Sequence, residues 1–519
     1  MRKTAFLLTL LIALPMVAQD DSFEKFRQQQ AAQFNQFKNN QQAEFDAFRR
    51  RVNEEYAEFM RRAWAEFPAH DADVPKEEKE IPPVVYEAPE PTPSPTPDPV
   101  KPDEPIKHED ISSLPTPQQG LEPAPVPIAV KPTVIVIPAP VPAPEPIAPV
   151  EPKEEPYKKV SISYYGAFIT IGFPINDEFQ LHGGSENAIA NGWKELSDAK
   201  YDITVKTALD ARKANALCDW AYMDMLRQAC EKQYGKGNDA TLAQAFLMVQ
   251  SGYRIRLGSD NGKLQLLVAS LYDIYGIKYF KLDGTKFYLV SGDKNTRLQI
   301  CEAKYGKEKS LSMQIAQLPK FTNDPTPKRT LTSKKGVTAT VSVNKNLIDF
   351  FNTYPQSCYN GDFTTRWAAY ANTPLDKSIQ NALYPALKKT ISGMSARQAV
   401  EILLNWVQTA FKYKVDDEVW GHDRAFFAQE TLYYPYCDCE DRAILFSRLV
   451  RDLVGLDVVL LYYPGHLASA VAFSGNENGD YLTYKNRRYV VCDPTYINAG
   501  VGRTMPGMNN QQAQVIALK

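Results

Sequence analysis

From residue 22 the aromatic positions of this chain recur every eleven residues. Phe23, Phe34, Phe45, Tyr56 and Phe67 form one row, and Phe26, Phe37, Phe48 and Phe59 form a second. Eleven residues close on about three helical turns, near enough to the α-helix to hold both rows on one stripe. The pattern predicts a helix over residues 21–67, about 70 Å long at 1.5 Å per residue. The remaining positions are mostly Gln, Asn, Glu, Arg and Ala. Such a helix either pairs in a coiled coil, lies on another protein or lies on a membrane. A polar face that mixes both charge signs counts against the membrane.

A second pattern starts at Tyr157. Val160-Ser161-Ile162-Ser163-Tyr164-Tyr165 reads as a strand, and a helical stretch over 206–233 gathers Leu217, Trp220, Ala221, Met225, Leu226 and Cys230 on one face. A helix over 239–251 ends at Gly252, with strands expected at 253–257, 263–270, 277–280 and 286–290. The last third repeats this order. Helices are expected at 376–392 and 395–411, an aromatic-rich loop at 412–437 and a helix from Cys439 to Gly455. Strands follow at 457–463, 467–473, 480–484 and 488–492. Helices followed by antiparallel strands predict an α+β fold. The likeness of 239–290 to 439–492 suggests a duplicated unit, in which the first copy has neither cysteine nor histidine.

Proline separates these regions. Of 38 prolines, 26 lie between Pro68 and Pro156, beside a single glycine, Gly120, so that stretch is expected to be a disordered, semi-rigid spacer and not a packed unit. Met1-Arg2-Lys3 followed by the apolar run Ala5 to Ala18 has the build of a secretory signal peptide and falls short of a membrane span. The chain therefore divides into a signal peptide (1–20), an aromatic-seamed helix (21–67), a Pro-rich linker (68–156), an α+β region of unassigned role (157–394) and a C-terminal unit (395–519). A cleaved signal implies a secreted or periplasmic protein. Over 519 residues the net charge is -2, which gives no electrostatic reason to expect nucleic acid as a partner.

Export conditions the seven cysteines, an odd number too sparse for a disulfide scaffold. Three of them, Cys437, Cys439 and Cys492, stand with His466 and Asp493 in the segment that could carry chemistry. A cysteine opening a helix has its thiolate favoured by the free backbone donors there, although Glu440 and Asp441 in the same turn oppose this. A histidine on a neighbouring strand could take the thiol proton, and an aspartate on the next strand could orient the imidazole. His466 is the only histidine after Cys439. Gln429 is a candidate oxyanion donor, and His422 a residue of the cleft wall. Other readings of the same residues are a zinc site, a Cys437–Cys492 disulfide, and a plain turn at Asp493-Pro494-Thr495.

Asp438-Cys439-Glu440-Asp441 opening a helix that closes at Gly455, then Gly465-His466, then Asp493-Pro494-Thr495, resembles the transglutaminase-like superfamily of papain-related folds. The resemblance covers about residues 395–500. Two positions depart from the family pattern: Cys437 replaces a glycine, and His466 is followed by Leu467-Ala468 in place of an aromatic. The resemblance implies a helix carrying the cysteine packed on an antiparallel sheet, with Cys439, His466 and Asp493 as a catalytic triad. It also implies attack on a protein or cell-envelope peptide amide, a thioester, and water or an amine as acceptor. No cofactor or metal is expected. The alternative is a non-catalytic envelope scaffold in which residues 22–67 drive self-association or hold an envelope partner.

Overall fold

The computed structural model describes residues 20–62, 64–74, 133–140, 142–146, 156–291, 297–509 and 512–519, so the signal peptide lies outside it except for Asp20. Among the described residues no helix is long and apolar enough to cross a membrane. The architecture is α+β, with two six-stranded sheets that each pack against their own helices.

The N-terminal helix α1 runs Asp20–Met60, and a 3-10 turn at Trp64–Glu66 follows it, so the regular helix stops short of the expected residue 67. Its second half docks on helix α2 (Glu186–Leu196). Arg49 donates to Asp202 at 2.8 Å, the Trp193 indole N–H reaches Asn53 at 3.0 Å, and the Tyr56 ring lies 4.8 Å from that of Trp193. Ahead of this dock the described side chains of residues 29–40 stand clear, with Phe34 66% and Phe37 59% exposed. The aromatic seam is thus part anchor and part free surface.

The single helix expected over 206–233 is two, Asp202–Ala214 and Asp219–Tyr234. Ala216 has φ 48 and ends the first helix, and Arg212 bridges the break to Asp219 at 2.5 Å. Residues 68–156 are not wholly an unstructured spacer either. Strand β1 (Ala69–Asp71) and strand β2 (Thr133–Val136) both come from this stretch, and each completes the edge of a sheet. Thr133-Val134-Ile135-Val136 is a β-branched run with no proline of its own, which is why it can join a ladder inside so proline-rich a segment.

In the first sheet, helix α3 (Asn238–Gln250) leads into β3 (Ile255–Asp260) and β4 (Lys263–Ala269), followed by β5 (Tyr279–Leu282), β6 (Thr285–Leu289) and β7 (Arg297–Cys301). The spatial order is β1-β7-β3-β4-β6-β5. The second sheet is preceded by helices α4 (Thr365–Asn372), α5 (Ala396–Thr409) and α6 (Ala428–Tyr433), and by α7 (Cys439–Leu453). Its strands are β8 (Val458–Tyr463), β9 (His466–Val471), β10 (Tyr481–Tyr484), β11 (Arg487–Cys492) and β12 (Gln514–Ala517), in the order β2-β12-β8-β9-β11-β10. Position for position the two orders are the same: a strand from residues 68–156 at the edge, then the last strand, then the first, second, fourth and third after the helix. One difference is that β1 runs antiparallel to β7 while β2 runs parallel to β12.

Candidate active site

Helix α7 buries Ala443, Ile444, Leu445, Phe446, Leu449 and Val450 between the second sheet and helices α4, α5 and α6. Arg442, fully buried, donates to the carbonyls of Gln408 and Phe411 at 3.2 and 2.9 Å and lies over the Tyr413 ring. These contacts fix the start of the helix, and with it Cys439. The Cys439 sulfur lies by the backbone N–H of Leu467, the residue after His466, and its thiol donates to Glu440 Oε2 at 3.2 Å.

His466 opens β9 and is buried. Its Nε2 meets Asp493 Oδ2 at 2.8 Å. A carboxylate at Nε2 assigns the proton to that nitrogen and leaves Nδ1 as the basic one. Asp493 Oδ1 meanwhile accepts the N–H groups of Thr495 and Tyr496 at 2.8 and 3.2 Å. The turn reading and the orienting reading of Asp493 therefore describe two oxygens of one carboxylate. Gln408 ties the same turn down by donating to the carbonyls of Asp493, Tyr496 and Ala499. His466 and Asp493 are thus in direct contact at one end of β9, and Cys439 lies beside the next residue of that strand, Leu467, with its thiol turned to Glu440.

The two departures from the family pattern have structural counterparts. Cys437 is buried and its thiol turns to the Lys412 carbonyl at 3.7 Å, within a short parallel pairing of 412–413 with 436–437. Cys439, by contrast, is half-exposed. The aromatic missing after His466 is supplied across the hairpin, where Tyr463 pairs with His466 and stacks on its ring at 6.3 Å. All seven cysteines are free thiols, so the Cys437–Cys492 disulfide is not formed. His422 Nδ1 donates to the Trp420 carbonyl within the approach loop, at 2.9 Å.

The electrostatics differ from the sequence expectation. Burial, with the carboxylates of Glu440 and Asp438 close by, pushes the Cys439 thiol well above its ordinary value, and the Leu467 N–H only partly opposes this. Cys439 therefore rests as a thiol. Glu440 and Asp441, noted in the sequence as opposing a thiolate, belong to a larger acid group with the buried Asp416 and Asp438 and the partly exposed Asp423. Burial followed by the neighbouring Glu440 carboxylate pushes Asp416 up to about 9. Asp441 is raised too, by burial first, while its oxygens accept the N–H groups of Phe426 and Asp438 at 2.8 and 3.2 Å. Arg366, on α4, pairs with Asp423 and approaches Glu440 at 4.0 Å.

Oxygens of Asp416, Asp438 and Asp441 lie within 4.8 Å of one another, a spacing that a hard cation could bridge. No second feature there points to an ion, and the raised carboxyls fit shared protons. Arg366 and Asp416 were not anticipated from the sequence, where neither falls in a motif. Gln429 is buried, and neither atom of its amide has a hydrogen-bond partner among the described residues. Compared with family models, curated proteins and solved structures, the chain matches none.

Proposed function

We propose that this chain is an exported, transglutaminase-like cysteine enzyme that acts on protein or cell-envelope peptide amides, as a peptidase or an amidotransferase. The observation that carries this reading is the His466–Asp493 contact through Nε2 at 2.8 Å, with a partly buried Cys439 beside Leu467, the next residue of the strand. The papain-like arrangement of a cysteine-bearing helix on an antiparallel sheet belongs to the same proposal.

In this chemistry the Cys439 sulfur attacks the amide carbonyl as the thiol proton passes to His466 Nδ1. The tetrahedral oxyanion collapses, the C–N bond breaks, and His466 returns the proton to the departing amine. A thioester remains. Water then gives the free acid, or a primary amine gives a new amide, with His466 taking the acceptor's proton and the thiol restored as the leaving group. Asp493 stabilises the imidazolium in both half-reactions. The protonated resting thiol makes proton transfer part of the attack, because no preformed thiolate is waiting.

Peptide electrophiles and a fluorescent amine offered to a glutamine-bearing protein test this. The expected result is an adduct on Cys439 by mass spectrometry, together with hydrolysis or amine incorporation, both lost in His466→Ala. Absence of adduct, hydrolysis and incorporation in the wild type would sink the reading. The scaffold alternative is favoured by one observation, the acid crowding that holds Cys439 protonated. In either case the exposed seam at Phe34 and Phe37 fits self-association or an envelope partner.

A further inference from the structure

We infer that the first sheet and its helix are a second copy of the thiol-bearing unit, in which Asn238, Lys263 and Ser291 occupy the positions of Cys439, His466 and Asp493. The inference rests on the proposed triad for its meaning, but its geometry stands apart from it. Asn238 is the first residue of α3, as Cys439 is of α7. Lys263 is the first residue of β4, as His466 is of β9, and each follows a left-handed glycine, Gly262 at φ 80 and Gly465 at φ 77.

The helix packs on the second strand in both copies, with the first residue of the one beside the second residue of the other. Asn238 Oδ1 accepts the N–H of Leu264 at 2.9 Å, and the Cys439 sulfur lies by the N–H of Leu467. Leu264 follows Lys263 as Leu467 follows His466. The third position agrees by register. Cys492 pairs with Ser469, which places Asp493 opposite Ala468, two residues beyond His466. Leu289 pairs with Leu267, which places Ser291 opposite Gln265, two residues beyond Lys263. The Ser291 hydroxyl confirms that placement by donating to Gln265 Oε1 at 2.6 Å.

Chemistry has been replaced by fastening. The Asn238 amide also donates to the Gly262 carbonyl at 2.7 Å, so a single side chain clasps helix to hairpin through both of its polar ends. Gly184 closes over the same turn, where even a Cβ would stand 2.3 Å from the Gly262 oxygen. A site built to expose a nucleophile keeps polar groups under strain or unpaired, whereas this one satisfies them. The first copy is therefore a non-catalytic partner to the second, and it also anchors α1, through Trp193 of α2.

Two measurements on the full-length mature protein test the assignment. In a Cys439→Ala background, Asn238→Cys is compared with Asn238→Cys/Lys263→His/Ser291→Asp for iodoacetamide labelling at position 238 and pH 6.5, read by peptide mass spectrometry. The triple variant is expected to label at least fivefold faster, and equal rates in two folded proteins would overturn the equivalence. Asn238→Ala is expected to lower the thermal midpoint by several degrees, while Cys439→Ala leaves it level or higher. An unchanged midpoint in Asn238→Ala would overturn the clasp. Dependence of Cys439 labelling on His466, measured alongside, reports separately on the proposed triad.

Discussion

Asp493 divides its carboxylate between two tasks, giving Oδ2 to His466 at 2.8 Å and Oδ1 to the backbone of its own turn. The imidazole is consequently oriented by a group that the fold already holds still, and not by a free side chain. Asp493→Asn keeps the turn acceptor but loses the charge that stabilises an imidazolium. Its kcat/KM is expected to fall at least about 100-fold, mostly in kcat, with the thermal midpoint nearly unchanged. Steady-state kinetics on a hydrolysed peptide check this, and a variant within a few-fold of wild type would remove Asp493 from the mechanism.

The acid group around Cys439 makes stability depend on pH in a stated direction. Asp416, pushed up to about 9, binds a proton in the folded protein that the unfolded chain releases near pH 4. The folded state is then the more protonated one between those values, so its stability falls as pH rises through that window. Asp416→Asn is expected to raise the thermal midpoint at pH 8 and to change it little at pH 4. Scanning calorimetry at both values decides the matter, and a loss at pH 8 would contradict it.

Arg366, 4% exposed, is the cation that faces this group through Asp423 and Glu440. Replacing it by methionine leaves those carboxylates uncompensated, at a cost of roughly 3 kcal/mol. The loss should be larger at pH 8 than at pH 5, because burial and the Asp423 carboxylate raise the Glu440 carboxyl and Arg366 favours its charged form. Denaturant unfolding at the two pH values measures it, and a loss independent of pH would assign Arg366 a packing role alone.

Strand β2 links the proline-rich stretch to the second sheet through Ile135, which pairs with Ile516 and is buried. Ile135→Ala is expected to cost about 2 kcal/mol. Limited proteolysis should then cut residues 133–146 faster than in the wild type. An unchanged digestion pattern would mean that β2 contributes little to holding this stretch down.

The free half of α1 presents Phe34 and Phe37 to solvent, while residues 28–43 carry only one charge, at Lys38. Self-association along this seam buries the aromatics without setting like charges against each other. Sedimentation velocity is expected to show a concentration-dependent dimer that Phe34→Gln/Phe37→Gln returns to monomer. A wild-type protein that stays monomeric at tens of micromolar would leave the seam to a different partner.

The sequence alone determined the periodic features of this protein. The eleven-residue aromatic rows, the helix beginning at Cys439 and the alternation of helices and strands are local patterns, and local patterns set backbone conformation. The order Cys439, His466, Asp493 was legible for the same reason, since each residue sits at the start or end of a regular element. The tertiary structure decided what depends on residues far apart in the chain. It broke the helix expected at 206–233, because Arg212 and Asp219 pair across a left-handed Ala216. It recruited β1 and β2 from a stretch whose composition promised no core, because open sheet edges offer hydrogen bonds that composition does not record. It also gathered Asp416, Asp423 and Arg366 around Glu440 and buried the Cys439 thiol, so that burial, which no local motif records, joins the neighbouring Glu440 and Asp438 in keeping that thiol protonated.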